Sequence, residues 1–171
     1  WDIGANIGLY SIYAAKKKIK VYAFEPSVFN LELLSRNIVN NDTAKNLNVV
    51  PIALSSKNGF SNLSYSNEDW GGAFSVFGET YGGDGKKINS MFKYSTLGLK
   101  IDDIVKLNGF VKPDYIKIDV DGIEHLILAG AKLTLKKVKS VLVEINDDFE
   151  EQKFNCENVL RKEGLTLFSK T

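Results

Sequence analysis

Two glycines and a carboxylate near the start of the chain are spaced as in a nucleotide-binding site. Gly4 and Gly8 fall where a predicted strand gives way to a helix, and a turn of this kind directs unpaired backbone N–H groups toward a ligand. Glu25 follows Gly4 by 21 positions at the end of the next predicted strand. A carboxylate at that spacing can accept hydrogen bonds from both hydroxyls of a ribose. The pattern predicts a cofactor that contains a nucleoside.

The turn lacks the second glycine of the dinucleotide fingerprint G-x-G-x-x-G. Asn6 occupies that position, and its side chain would crowd a pyrophosphate. S-adenosylmethionine has no pyrophosphate, and its amino-acid end needs donors and acceptors of the kind that Asp2, Asn6 and the turn amides offer. We therefore predict S-adenosylmethionine as the cofactor. The predicted binding residues are Asp2, Gly4, Ala5, Asn6, Gly8, Glu25, Pro26, Ala53, Leu54 and Asp119.

The elements that must position these residues alternate between strand and helix. After the first turn, strands are predicted at 19–25, 47–54, 114–120, 138–145 and 165–168, and helices at 102–105, 123–131 and 149–162, besides those that begin at Ile7 and after Ser27. Asp102 is the expected cap of the helix at 102–105. This alternation predicts an α/β fold, a doubly wound and mostly parallel sheet with helices on both faces.

One domain spans residues 1–171, with an irregular surface insertion at about 55–100. Short strands are predicted inside the insertion at 60–65 and 98–101. Its aromatic residues stand among glycines and polar residues, which suits either a lid against a sugar face or a mobile loop with a few anchors. These residues are Tyr65, Trp70, Phe74, Phe77 and Tyr81.

The composition of the chain limits the kinds of partner that it is expected to bind. The chain has 171 residues and a formal charge of +1, so no strong field favours nucleic acid, and no apolar run approaches a membrane span. A single Cys156 and no zinc-like Cys/His cluster favour a reducing compartment, and we predict the cytoplasm. Because the chain starts with Trp1 inside the cofactor turn, we interpret it as truncated at both ends, which leaves sheet edges that could pair in a homo-oligomer.

Three segments resemble the signature of the FkbM-type methyltransferases. They are residues 2–8 (DIGANIG), 23–26 (AFEP) and 116–124 (IKIDVDGIE), the last continuing through 129–131 (AGA) to 143–145 (VEI). The chain departs from this signature at Asp121, where the family more often has glutamate, and at Ile145-Asn146, where an aromatic residue or histidine is common. The resemblance implies a Rossmann-like class I methyltransferase fold, dependence on S-adenosylmethionine, and usually O-methylation of a hydroxyl on a sugar, a polysaccharide or a secondary metabolite.

Methyl transfer to a hydroxyl also requires that the hydroxyl proton be removed. Asp119 and Glu144 end two predicted strands, which places both at the cleft. Glu124 stands three residues after Asp121, where the pair could form a capping box or Glu124 could face the cleft. His125 has the ordinary pKa nearest neutrality. We predict that the catalytic residues come from Asp119, Glu124, His125 and Glu144.

Other interpretations remain open. The carboxylates of Asp119, Asp121, Glu124 and Glu144 could hold a divalent cation, but their spacing does not distinguish ligands from caps or bases, and we predict no metal. The acceptor is expected to be a small molecule or glycan. A non-catalytic S-adenosylmethionine-binding or scaffold domain is the alternative from another class, and an NAD-dependent oxidoreductase is a third.

Overall fold

The computed structural model describes residues 1–66 and 75–170. The strands are β1 Asp2–Ile3, β2 Val21–Phe24, β3 Leu47–Val50, β4 Ala53–Leu54, β5 Gly59–Tyr65, β6 Ser75–Phe77, β7 Phe92–Leu99, β8 Tyr115–Ile118 and β9 Ser140–Val143. The helices are α1 Leu9–Lys16, α2 Val28–Asn40, α3 Ile101–Ile104, α4 Glu124–Ala129, α5 Lys132–Leu135 and α6 Glu150–Lys162.

Five parallel strands form the first sheet, in the order β3-β2-β1-β8-β9. The chain first builds outward from β1 through β2 to β3 and later returns to the other side of β1 with β8. This reversal leaves a crevice at the carboxyl ends of β1 and β8, where ligands bind in sheets of this type. The predicted parallel arrangement is confirmed.

Alternating side chains of β2 show how both faces of this sheet are buried. Val21 and Ala23 belong to one apolar cluster with residues of α1 and α2, among them Leu34. Phe24 points to the other face, into the larger cluster that includes Leu128 of α4. Because successive side chains of a strand point to opposite faces, the sheet needs helices on both sides. The predicted doubly wound α/β class is therefore confirmed.

The α2 helix illustrates how local sequence fixes an element at the site. The Ser27 hydroxyl accepts a hydrogen bond from the Asn30 amide, which satisfies one of the free N–H groups at the helix start. Leu34 and Ile38 then bury the inner face of the helix. The start predicted after Ser27 is confirmed, and it places the segment before α2 at the carboxyl end of β2.

The insertion is more regular than predicted, because it contains a second sheet. Its four strands have the order β4-β7-β5-β6, with β5 antiparallel to both of its neighbours. The predicted strand at 60–65 corresponds to β5, whereas β7 starts well before the predicted 98–101. The strand predicted at 47–54 is in fact two, since β3 joins the first sheet and β4 the second.

Three further predictions were wrong. Asp102 does not cap its own helix, because its carboxylate accepts hydrogen bonds from the Leu133 and Thr134 amides and so caps α5. The helix predicted at 123–131 ends at Ala129 and is followed by the separate helix α5. Residues 165–168 form no strand, so the sixth strand predicted there is absent from the described part of the chain. In the described part of the chain, no helix is long and apolar enough to cross a membrane.

Candidate functional site

A cavity of about 370 Å³ opens at the carboxyl ends of β1, β2 and β8, and residues of the second sheet close its far wall. This volume lies within the range typical of small-molecule sites. Eight of the ten predicted cofactor residues line it, namely Gly4, Ala5, Asn6, Glu25, Pro26, Ala53, Leu54 and Asp119. Topology brings them together, since the three strands of the first sheet end at the same edge.

Asp2 and Gly8, the other two predicted cofactor residues, lie outside the cavity wall formed by the described residues. Asp2 is buried below it and accepts a hydrogen bond of 2.6 Å from the Ser11 hydroxyl. Gly8 has a φ of 96° at the start of α1, and a Cβ there would lie 2.5 Å from Leu34 Cδ1. Asp2 and Gly8 therefore stabilise the turn without lining the described cavity wall.

Gly4 is required by packing within the protein. Its φ is 75°, and a Cβ would lie 1.9 Å from the backbone oxygen of Asp119. The glycine thus allows the turn after β1 to pack directly on the chain leaving β8. Two backbone segments of the protein itself are therefore in close contact at Gly4, whether or not a ligand is bound in the cavity.

Glu25 is a buried carboxylate that is held in place by backbone amides. Oε2 accepts a hydrogen bond from the Asn6 amide and Oε1 one from the Ser27 amide, each at 2.8 Å. Burial nevertheless raises the pKa of Glu25 to about 7, since these amides offset only part of the desolvation. Each carboxylate oxygen has a second lone pair, so Glu25 can still accept hydrogen bonds from a ligand in the cavity.

Asn6 contributes an acceptor that the protein itself leaves unused. Its backbone adopts a φ of 50°, in the left-handed region that asparagine tolerates better than most residues. Its amide oxygen is buried and has no hydrogen-bond partner among the described residues. An unsatisfied polar atom of this kind is costly in a folded protein unless a ligand or water completes it. Asn6 therefore fits a donor group such as the ammonium of a methionine moiety.

Lys117 is a residue of the site that sequence reasoning missed. Its ammonium lies 3.1 Å from Asp119 Oδ2, 3.3 Å from Asp2 Oδ1 and 3.1 Å from the carbonyl oxygen of Gly4. It also lies 5.0 Å from the centre of the Tyr10 ring. The available signal was a lysine in the middle of a strand whose neighbours, Ile116 and Ile118, are buried.

Asp119 and Glu144 follow two neighbouring strands, and Asp119 lines the cavity whereas Glu144 is not part of the wall that the described residues form. Asp119 follows β8 and is partly exposed, while Glu144 follows β9 and is exposed. Burial, followed by the hydrogen bond and charge of Asp119, raises the pKa of Glu144 to about 7. A nearby negative charge makes a carboxyl group harder to ionise, which is why Glu144 holds its proton more tightly than an isolated glutamate.

Glu124 is placed by the structure inside the protein rather than at the cleft. Its side chain is fully buried and accepts hydrogen bonds from the amides of Val120 at 3.0 Å and Gly122 at 3.1 Å, and from the side chain of Gln152. It is absent from the cavity wall that the described residues form. Glu124 thus fixes the loop that carries Asp121.

Asp121 does not cap α4, so the predicted capping box is wrong. Its φ is 60° and it lines the cavity, while the N-cap of α4 is Ile123, which makes no side-chain cap hydrogen bond. Its carboxylate accepts a hydrogen bond from the Ser75 amide. Burial, followed by the charges of Glu124 and Asp119, raises the pKa of Asp121 to about 6. Asp121 is therefore an additional acidic group of the site.

His125 lies on the far side of this loop, against the ring of Phe149 with centroids 6.1 Å apart. It is buried, it is not part of the described cavity wall, and its Nδ1 has no hydrogen-bond partner among the described residues. Burial lowers its pKa despite nearby glutamates. His125 therefore packs against Phe149 and is not part of the wall that the described residues form around the cavity.

The aromatic residues of the insertion were predicted to form either a lid or a loop with a few anchors, and two of them pack in the core as anchors do. Tyr65 and Phe77 are buried in the main apolar cluster, and Phe77 also lines the cavity. Trp70 and Phe74 lie outside the described residues. Tyr94, which the sequence did not single out, donates a hydrogen bond to the carbonyl of Pro26 and so connects the second sheet to the cavity wall. Within the described ranges, no three His, Cys, Asp or Glu side chains converge as metal ligands do.

Comparison with known proteins finds related sequences over most of the chain. A family model described as the methyltransferase FkbM domain matches residues 2–163. The hexuronic acid methyltransferase AglP of Haloferax volcanii is 32% identical over 148 residues, which cover 85% of this chain and 55% of AglP. The methyltransferase sdnD of Sordaria araneosa is 28% identical over 176 residues, which cover 84% of this chain and 64% of sdnD. The chain therefore spans between about half and two thirds of the length of these relatives.

A solved structure has the same fold. The crystal structure of a methyltransferase FkbM from Methylobacillus flagellatus KT aligns with a TM-score of 0.62 at 18% sequence identity. The alignment covers 94% of this chain and 36% of the crystallised one. The likeness therefore extends over nearly all of the present chain, including the second sheet.

Proposed function

Since the chain belongs to the FkbM methyltransferase family, we propose that it catalyses S-adenosylmethionine-dependent methyl transfer in the cavity at the carboxyl ends of β1, β2 and β8. The observation that carries this proposal is the pair formed by Glu25 and Asn6. A buried carboxylate and an unsatisfied amide oxygen line one cavity, and both are acceptors. A ribose supplies the donors for the first and an ammonium those for the second.

The proposed cofactor site has three parts. Glu25 accepts hydrogen bonds from the ribose hydroxyls, each worth about 1.5 to 3 kcal/mol because the acceptor is charged. Asn6 and the turn at Gly4 hold the methionine part. Ala53 and Leu54 of β4, which are both buried, provide an apolar wall for the adenine. When bound, S-adenosylmethionine supplies an electrophilic methyl group.

We propose a sugar hydroxyl as the acceptor, with a hexuronic acid as the first candidate and a secondary metabolite as the second. The support is the name of the AglP relative together with the Asp119 carboxylate in the cavity wall. Asp119 or Glu144, when ionised, would accept the hydroxyl proton while the methyl group moves from the sulfur of the cofactor to the acceptor oxygen, so that one carboxyl group ends protonated and S-adenosylhomocysteine leaves. We assign structural roles to Glu124 and His125, which the hydrogen bonds of Glu124 to its own loop and the packing of His125 against Phe149 support.

Cofactor binding is tested by titrating S-adenosylhomocysteine into the protein by calorimetry. We expect binding to the wild type and a loss of at least tenfold in affinity for Glu25→Ala, with unchanged secondary structure by circular dichroism. Glu157→Ala is the matched control, since Glu157 is a partly exposed glutamate on α6 that pairs with Arg161 and does not line the described cavity wall. Equal affinity in wild type and Glu25→Ala would remove Glu25 from the site. A rise in melting temperature with NAD but not with S-adenosylhomocysteine would favour an oxidoreductase.

Transfer itself is tested with methyl-labelled cofactor and oligomers of hexuronic acid. Incorporated label that resists mild alkali indicates an ether on a hydroxyl, whereas label released by mild alkali indicates an ester on the carboxyl group. Binding of the cofactor without incorporation into hexuronic acids or other glycans would favour the non-catalytic binding domain. We propose the cytoplasm as the compartment, which the single free Cys156 supports.

A further inference from the structure

Two tyrosines of the second sheet contact the segment that follows Glu25. The Tyr94 hydroxyl of β7 lies 2.5 Å from the carbonyl oxygen of Pro26 and 3.1 Å from the amide nitrogen of Val28. It also lies 3.1 Å from the hydroxyl of Tyr65 on β5, and the two rings stack with their centres 5.9 Å apart. One side-chain oxygen therefore joins both ends of the turn between β2 and α2.

The hydrogen bonds of these hydroxyl groups can run in only one direction. A carbonyl oxygen only accepts, so the single hydroxyl hydrogen of Tyr94 goes to Pro26. The Tyr94 oxygen then accepts from the Val28 amide and from Tyr65, which donates its own hydrogen. Tyr65 is left as the acceptor in its hydrogen bond with the Ser27 hydroxyl. The chain of donors thus starts at Ser27, passes through the two tyrosines and ends at Pro26.

The same turn holds the carboxylate of Glu25. The Ser27 amide donates to Glu25 Oε1 at 2.8 Å, while the Ser27 hydroxyl starts the chain of donors to the second sheet. From the turn after β1, the Asn6 amide donates to Glu25 Oε2. Glu25 lines the cavity, whereas neither tyrosine belongs to the wall that the described residues form. The tyrosines therefore contact the turn and not the space in which a ligand would bind.

We propose that Tyr94 is a positioning residue of the cofactor site, which holds the turn at 26–28 through its hydroxyl and so keeps Glu25 where it accepts hydrogen bonds from a ribose. The proposal deepens the proposed function, on which the identity of the ligand rests. A phenylalanine ring would fill the same space against Tyr65, so the hydroxyl is the part of Tyr94 that the turn requires.

Calorimetry with S-adenosylhomocysteine measures the effect on binding. Tyr94→Phe should weaken binding about three- to tenfold, which corresponds to the loss of one neutral hydrogen bond. Because Tyr94 acts through Glu25, the same substitution should change the affinity by less than about twofold in a Glu25→Ala background, since the effects of coupled residues are not additive. A merely structural role would weaken binding equally in both backgrounds.

Tyr22→Phe is the matched control. The Tyr22 hydroxyl also donates to a backbone carbonyl, that of Gly109 at 3.1 Å. Tyr22 is a buried residue of β2 and does not line the described cavity wall. We expect this variant to bind S-adenosylhomocysteine with wild-type affinity.

Amide hydrogen exchange, followed by NMR, examines the turn in the protein without ligand. In Tyr94→Phe, the amides of Ser27 and Val28 should exchange faster, because Val28 loses its acceptor and Ser27 loses part of the chain that fixes its position. Tyr65→Phe, which removes the donor to Tyr94, should accelerate the same two amides. Tyr22→Phe should leave both rates unchanged.

Three results would overturn the inference. The first is unchanged exchange at Ser27 and Val28 in Tyr94→Phe, and the second is an equal loss of affinity with and without the Glu25 side chain. The third is a loss in Tyr22→Phe as large as in Tyr94→Phe. The exchange measurement needs no cofactor. If S-adenosylhomocysteine fails to bind the wild type while the exchange result holds, the proposed function fails and the contact between Tyr94 and the turn stands.

Discussion

At the scale of single residues, burial decides how the acidic groups of the cavity behave. Glu25, Asp121 and Glu144 all have a raised pKa, and in each case desolvation is the largest cause. Raised values near neutrality are expected where carboxyl groups exchange protons or meet a ligand. The pH dependence of binding and of turnover can therefore distinguish the roles of these groups.

The affinity for S-adenosylhomocysteine should increase with pH up to about 7 and level off above it. Glu25, with a pKa of about 7, accepts ribose hydroxyls best when ionised, so affinity falls by up to tenfold for each pH unit below that value. Calorimetry between pH 5.5 and 8 measures this. Glu25→Gln should bind more weakly with a flat profile, and a flat profile in the wild type would contradict the assignment.

Stability of the protein without ligand should show the opposite trend. The folded pKa of Glu25 lies above its unfolded value, so its contribution to stability is complete below pH 4.5 and is lost as the pH rises through about 7. The same ionisation thus weakens the empty protein and strengthens cofactor binding.

Turnover should rise with pH through about 7 if Glu144 is the base, since Glu144 accepts a proton only when it is ionised. Glu144→Gln should lower kcat by about 10² to 10⁴-fold, the usual contribution of a positioned base, and should leave KM for the cofactor nearly unchanged. Steady-state rates between pH 5.5 and 9 test both expectations. A Glu144→Gln enzyme that retains wild-type kcat and the same pH profile would exclude Glu144 as the base.

At the scale of elements, the site depends on how closely β1 and β8 approach each other. The turn after β1 is held at the backbone of Asp119 by a glycine, and the loop after β8 is held from below by the buried carboxylate of Glu124. Different contacts therefore fix the two segments that carry the predicted cofactor and acceptor residues. One is the close backbone packing at Gly4, and the other is the set of hydrogen bonds to Glu124.

Gly4→Ala should lower the free energy of unfolding by about 3 kcal/mol or more, because it combines a left-handed backbone with a clash against the backbone of Asp119. Gly164→Ala is the matched control. Its φ of 91° is similar, but a Cβ there meets no atom within 4 Å, so only the backbone cost of about 1 to 2 kcal/mol applies. Urea unfolding measures the free energy of unfolding of both variants. Equal losses would mean that the clash with the backbone of Asp119 adds nothing to the cost at Gly4.

At the scale of the whole molecule, the two sheets share one apolar core. The main cluster contains Ile3 and Phe24 of the first sheet together with Leu63 and Phe77 of the second. The cavity lies between them, and all four residues line it. A substitution that weakens packing in the second sheet should therefore also weaken binding at the cofactor site.

Leu63→Ala should cost about 2 to 5 kcal/mol, the usual range for a fully buried leucine, and should weaken S-adenosylhomocysteine binding. Near- and far-ultraviolet circular dichroism should give one common urea midpoint, as expected for a shared core. Phe60→Ala on the same strand, with its side chain 78% exposed, should change stability by less than about 0.5 kcal/mol. Two separate midpoints would show that the sheets unfold independently.

The sequence by itself determined much of this architecture. Periods of two and of three to four residues marked the main strands and helices, and the turn and spacing around Gly4 and Glu25 identified residues that line the cavity. These signals are local, since each depends on residues that are near one another along the chain. The second sheet escaped full prediction because its strands carry many polar and glycine residues and pair across distant segments.

Only the tertiary structure decided which charged groups face one another. Lys117 and the Gly4 carbonyl lie 113 positions apart along the chain, yet they are 3.1 Å apart in space. Glu124 and Asp119 were both predicted as candidate catalytic residues, but Glu124 is fully buried under its loop and Asp119 lines the cavity. The electrostatic role of a charged side chain depends on its burial and on its neighbours in space. The order of the strands in the folded sheet brings these neighbours together.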